Sequence, residues 1–165
     1  MHKQVSSLLA DGGSPGQLAR YTQLLASRKV NIRAIGGAEW NHHGAVAVLV
    51  DDRTDEDELA EWLTGQDFPS VPIFAAEAVL PDVPGSLANA ATRLGDLNIL
   101  TILVADTHGG VGLVSFGFGS SEEADQARDL LGDLAVPVHG LTAAWNAHEV
   151  WDGTNPNPQP DPHNP

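Results

Sequence analysis

Asp82–Val104, DVPGSLANAATRLGDLNILTILV, occurs twice in this chain. Its earlier copy is Ser14–Ile35, SPGQLARYTQLLASRKVNIRAI. Pro15 and Gly16 align with Pro84 and Gly85 at an offset of 69, and Leu18, Ala19 and Leu25 keep that offset against Leu87, Ala88 and Leu94. Asn31-Ile32 meets Asn98-Ile99 at 67, so the second copy is two residues shorter between helix and strand. Each copy reads as a turn, a proline at the first helical position, a helix of about three turns and an apolar strand opening with asparagine. A repeat of this kind decides the architecture before any single motif is weighed.

Working outward, Lys3–Ala10 reads as a strand and Asp11–Ser14 as a turn, followed by a helix from Pro15 to about Arg28 with Leu18, Tyr21, Leu25 and Ala26 on its buried stripe. Val30–Ala38 and Ala45–Val50 are strands joined by the polar Asn41–Gly44 turn. Thr54–Asp57 has the form of a capping box and starts a helix burying Leu59, Trp62 and Leu63, which Gly65 ends. Ser70–Phe74 is a short strand, its Pro72 requiring an edge. The series then restarts: strand Ala75–Leu80, helix Pro84–Gly95, strands Leu97–Ala105 and Val111–Phe118. A capping box at Ser120–Glu123 opens a helix to Gly132, and strand Ala135–His139 closes the unit.

The order β-α-β-β-α-β, twice, predicts an α+β fold of two ferredoxin-like units with antiparallel sheets and their helices on one face. The first domain is expected over 1–74 and the second over 75–140. A C-terminal extension, 141–165, is expected to hold a short Trp-bearing helix and a disordered tail rich in Pro and Asn. Strands Val30–Ala38 and Leu97–Ala105 are edges in this topology. If Ile99, Thr101 and Leu103 look toward the helices, then Leu100, Ile102 and Val104 look away. Those three are too apolar for water, so the second sheet should be covered by the other repeat, by the C-terminal segment or by a second chain.

Composition narrows the function. The absence of cysteine removes disulfides, thiol catalysis and thiolate metal sites. A net charge of −14 opposes binding to nucleic acid or anionic membranes. The acidic run Asp51–Glu58 reads as a solvated loop and helix start. No apolar run is long enough to span a bilayer and the charged start MHKQ lacks a signal-peptide pattern, so a cytoplasmic protein is expected. Of the seven histidines, His2 and His163 lie in the termini, His42, His43 and His108 fall in equivalent hairpin turns, and His139 and His148 have no local carboxylate at ligand spacing; no nucleophile elbow, phosphate loop or dinucleotide fingerprint is present. No catalytic residue, metal or cofactor is expected.

The two segments PGQLARYTQLLASRKVNIRAI and DVPGSLANAATRLGDLNILTI resemble the ACT domain, a small ligand-binding module of regulatory proteins. The shared features are the turn ending in Pro-Gly, the Leu two residues on, the helix, and the Asn-Ile opening the next strand. The resemblance covers residues 3 to about 140. It implies binding of an amino acid or similar metabolite at an interface between paired domains, acting on a partner protein or on oligomer state.

The residues agree with that implication. Backbone N–H groups at a glycine turn feeding a helix lack partners, and the helix dipole favours an anion there. Gly13, Ser14, Gly16, Gln17 and Leu18 in the first copy, and Val83, Gly85, Ser86 and Leu87 in the second, are therefore candidates for holding a carboxylate. Asn31-Ile32 and Asn98-Ile99 would supply a buried amide able to read carboxylate and ammonium together, and Asp82 a charge partner for the ammonium. Gly13 stands where the second copy has Asp82, so one site or two remain open. A Pro-Gly at a helix start is also a common turn, and a strand-opening Asn commonly satisfies backbone. The expected role is thus a non-enzymatic regulatory protein acting through another protein or as a homodimer; the alternative is an interaction module with a vestigial ligand site.

Overall fold

The computed structural model describes residues 3–9, 14–40, 43–108 and 110–136. The elements are β1 (Lys3–Leu9), α1 (Gln17–Ser27), β2 (Ile32–Trp40), β3 (His43–Val50), α2 (Glu56–Thr64) and β4 (Ser70–Pro81), then α3 (Ser86–Arg93), β5 (Thr101–His108), β6 (Val111–Phe118) and α4 (Ser121–Leu131). The strands form one antiparallel sheet in the order β2-β3-β1-β4-β6-β5, with β2 and β5 as its edges, as their position in the repeat requires.

The two strands expected at Ser70–Phe74 and Ala75–Leu80 are one. β4 runs unbroken for 12 residues; residues 70–74 pair with β1 and residues 74–81 with β6. Pro72 is accommodated because that half of β4 has a ladder only toward β1. The 74/75 boundary therefore falls inside a shared strand. Ala135 bridges Ala78 beside β4, at the start of the expected last strand. The rest of that strand, the Trp-bearing helix and the tail lie outside the described residues.

All four helices cover the same face of this sheet. Tyr21 and Leu25 of α1 and Leu59, Ala60 and Leu63 of α2 pack on Val5, Val46 and Val48. Ala90 of α3 and Ala124, Ala127 and Leu131 of α4 pack on Ala76, Ala78, Val114 and Phe116. Leu18 and Ala26, expected on the buried stripe of α1, are exposed.

The opposite face closes on itself. Gln4 of β1 is fully buried; its Nε2 donates to the Ser115 carbonyl (3.2 Å) and hydroxyl (2.9 Å) on β6, and its Oε1 accepts from Thr101 on β5. Leu103 of β5 presses against Gly36 of β2, so the two edges of the sheet face each other. The second sheet half is thus covered by the first repeat, but through Leu103 and Ala105. Residues 98–100 are not strand, which shifts the alternation. Ile99 packs with the helices, whereas Ile102 and Val104, paired to Phe116 and Val114, lie on the helix side at an edge and stay half exposed, as does Leu100.

Candidate functional site

The four helices begin in two different ways. α2 is capped by Asp55, whose Oδ1 accepts from the Glu58 amide at 2.9 Å, and α4 by Ser120, whose hydroxyl accepts from the Glu123 amide at 3.2 Å. The cap of α2 is therefore Asp55 and not Thr54, which instead donates to Asp51. By contrast, α1 and α3 start at Gly16 and Gly85, with φ 94° and 92° and no side-chain cap. The left-handed turn is made by the glycine, so Pro15 and Pro84 stand before the cap rather than in the first helical turn. The first helical amide is taken at each start, that of Gln17 donating to the Ser14 carbonyl at 3.4 Å and that of Ser86 to the Val83 carbonyl at 3.3 Å, so an incoming acceptor would be met by the amides that follow.

The start of α1 overlooks a groove of about 550 Å³. One wall is Ser14, Gly16, Gln17 and Leu18 with Leu9; the other is the 35–39 stretch of β2, continued by residues 44–46 of β3. Ile35, Gly37 and Glu39 pair with Val48, Val46 and Gly44, so they alternate on the helix side of β2. α1 is held over this site by Tyr21, which is fully buried, edge-on to Phe68 with ring centroids 5.3 Å apart. Its hydroxyl lies 3.1 Å from that of Ser7, which in turn meets Ser70 at 2.7 Å. Burial pushes the Tyr21 phenol above its ordinary value, the Ser7 bond partly opposing this.

The expected site residues divide. Ser14, Gly16, Gln17 and Leu18 come together in the groove. Gly13 lies outside the described residues. Asn31 and Ile32 are at the other end of α1, a helix of about 16 Å. Asn31 is exposed and lines a separate polar hollow with Arg28, Lys29, Asp51 and Asp55, while Ile32 packs on the core. Neither asparagine is the buried amide expected, because both sit in the turn before their strand begins.

In the second repeat Asp82, Val83, Gly85 and Leu87 are exposed around the start of α3, Ser86 is half-buried, and the Asp82 amide donates to the Gly110 carbonyl at 2.8 Å. Asn98 is exposed beyond the far end of α3, and Ile99 packs inward. Ile35, Gly37 and Glu39 were not singled out by the motif. Their signal was the alternation Ile35-Gly36-Gly37-Ala38-Glu39 on an edge strand.

Among the described residues no three His, Asp or Glu side chains form a metal-holding group, and no helix is long and apolar enough to cross a membrane. Within the acidic run Asp51 pairs with Arg53 of the same loop at 3.1 Å and Asp52 with Arg33 of β2 at 3.4 Å, so arginines tie the loop to itself and to the neighbouring strand.

No family model matches the chain, and no curated protein matches it. Solved structures do. A protein of Bacteroides thetaiotaomicron aligns with TM-score 0.63 at 23% identity, over 81% of this chain and 92% of that one. The regulatory subunit of aspartate kinase from Thermus thermophilus aligns with TM-score 0.56 at 18% identity, over 81% and 91%. Aspartokinase III of E. coli, solved with lysine and aspartate, aligns with TM-score 0.52 at 17% identity, over 81% of this chain and 31% of the enzyme. At these identities the likeness gives the fold, and the fold is ACT-like.

Proposed function

We propose that this chain is a non-enzymatic regulatory protein, built as two ACT-like units that share β4, which binds an amino acid or related small metabolite and signals through a partner or through its oligomer state. The observation that carries the reading is the groove at the uncapped start of α1. Open amides at the positive end of a helix suit a carboxylate, and the apolar wall of Ile35 and Leu18 suits the remainder of a small metabolite. The likeness to an aspartate kinase regulatory subunit supports the regulatory side of the reading.

A thermal-shift screen of the full chain against the twenty amino acids and common metabolites tests it. A ligand at about 100 times its Kd adds about 2.7 kcal/mol of stability, a shift of several degrees. A shift confined to one chemical family is the expected result, and a flat screen on folded protein overturns the reading. The second reading, an interaction module with a vestigial site, is favoured by one observation: Leu100, Ile102 and Val104 are about half exposed around the edge strand β5. It predicts a flat screen together with a partner or second copy that protects β5 amides from hydrogen exchange.

A further inference from the structure

The two halves of the sheet share one strand end to end. β1 pairs with residues 70–74 of β4 and β6 with residues 74–81, so among the described residues Phe74 alone pairs on both sides. The buried cores on the helix side are separate as well: one is made by the first repeat, the other by the second half of β4 with the second repeat, and they have no residue in common. Contacts that cross between the halves lie on the inner face, where β2 meets β5 and Gln4 reaches Ser115 and Thr101. That face is poor in large apolar side chains. Ala34, Ala47 and Ala105 are among its buried members, and Gln4, Glu77 and Ser115 are buried on it too. Its closure stops short of Leu8 and Val71, which lie on the same face and are each 58% exposed. Large apolar contacts lock the units of a chain together, whereas small and partly polar ones leave them free to move.

We propose that the inner face is a clasp, and that the two halves swing apart about Phe74–Ala75 of β4 while each keeps its own helix-side core. Just past this point the Arg128 guanidinium donates to the Ala75 carbonyl at 2.9 Å, tying the second half of β4 to α4, so the bend falls where the two ladders change over. Opening breaks the bonds of Gln4 to Ser115 and Thr101 and parts Leu103 from Gly36. Water takes over the hydrogen bonds, and the alanines expose little area, so the open form costs less than unfolding either core. It uncovers the inner sides of β2 and β5, which the closed form hides. Such motion needs no ligand and is independent of the sensor reading.

The chain has no cysteine, so one introduced thiol reports on one place. Ala47→Cys and Ala105→Cys put it on the inner face, one in each half; Ala60→Cys and Ala127→Cys put it in the two helix-side cores, and all four alanines are buried. Labelling of the full chain by a thiol reagent at low urea is the measurement. The two inner-face thiols should react at rates within about threefold of each other, at least about tenfold faster than the core thiols and with a weaker urea dependence, because opening exposes less surface than unfolding. Gln4→Ala should speed both inner-face thiols by about tenfold. Leu63→Val, a mild cavity in the first core, should speed the thiol at position 60 about three- to tenfold and leave positions 47 and 105 unchanged. A common rate at all four positions, or equal acceleration of all four by Leu63→Val, means that only global unfolding exposes the inner face and overturns the proposal. Unrelated rates at 47 and 105 mean local fraying and overturn it equally, as does an inner face indifferent to Gln4→Ala.

Discussion

Leu103 Cδ2 lies 2.9 Å from the point where a side chain on Gly36 would begin. The two residues belong to β2 and β5, opposite ends of one sheet, and their approach is what closes its inner face. Gly36→Val would run into the tip of Leu103, which must turn aside or be pushed away. Overfilling a packed contact costs about 1–3 kcal/mol, so the urea midpoint should fall with an unchanged slope. A combined Gly36→Val/Leu103→Ala protein should recover part of that loss, because the second change frees the space the first one needs.

The buried polar link beside this contact should behave differently. Gln4 donates to Ser115 and accepts from Thr101 across the inner face, so Gln4→Ala strands two hydroxyl-bearing partners at once. Each buried group left unsatisfied costs about 1–3 kcal/mol. A Gln4/Ser115 double-mutant cycle should therefore show coupling of about 0.5–3 kcal/mol. Additive single effects would mean the bond contributes nothing to joining the repeats.

How far the fold was legible follows from which residues carry it. Pro15-Gly16 and Pro84-Gly85 announce helix starts through backbone chemistry alone, and the repeat supplied the order of elements along the chain and both edge strands. The fusion of two strands into β4 was hidden by Pro72, which reads as the mark of a short edge strand and is tolerated in β4 because a ladder is missing on one side there. The face of Leu103 was misread because residues 98–100 leave the strand, and alternation does not survive such an interruption. Half of the candidate site was legible in Ser14–Leu18. The other wall was not, since Ile35, Gly37 and Glu39 matter through their position opposite α1, and Asn31 is drawn away by the length of that helix.

Tyr21 gives the structure an alkaline limit. Its phenol titrates above the usual value of about 10 in the folded protein because it is buried, and it titrates at the usual value when unfolded. Stability from this group is complete below pH ~10 and falls as pH rises from there through the folded value. Tyr21→Phe should lower stability at neutral pH by about 1 kcal/mol, the worth of one hydrogen bond, and flatten this part of the curve above pH ~10. Urea titrations across that range would show it; an equally steep loss in the variant would assign the limit to other groups.

The contrast between helix starts makes the final prediction. Asp55→Ala and Ser120→Ala each remove a side-chain cap, costing about 1 kcal/mol, yet both lie outside the groove and should leave any ligand-induced thermal shift unchanged. Gly16→Ala costs a similar amount, because φ 94° is strained for a residue with a Cβ, about 1 kcal/mol or more. That strain is relieved by rotating the turn that aims the first amides of α1, so this variant alone should also lose ligand response. Among the described residues no side chain would be met within 4 Å of a new Cβ at Gly16, which separates a backbone effect from steric blockage by these neighbours. Gly85→Ala, with φ 92°, completes the comparison: equal destabilisation is expected, with ligand response retained if the groove of the first repeat is where binding occurs.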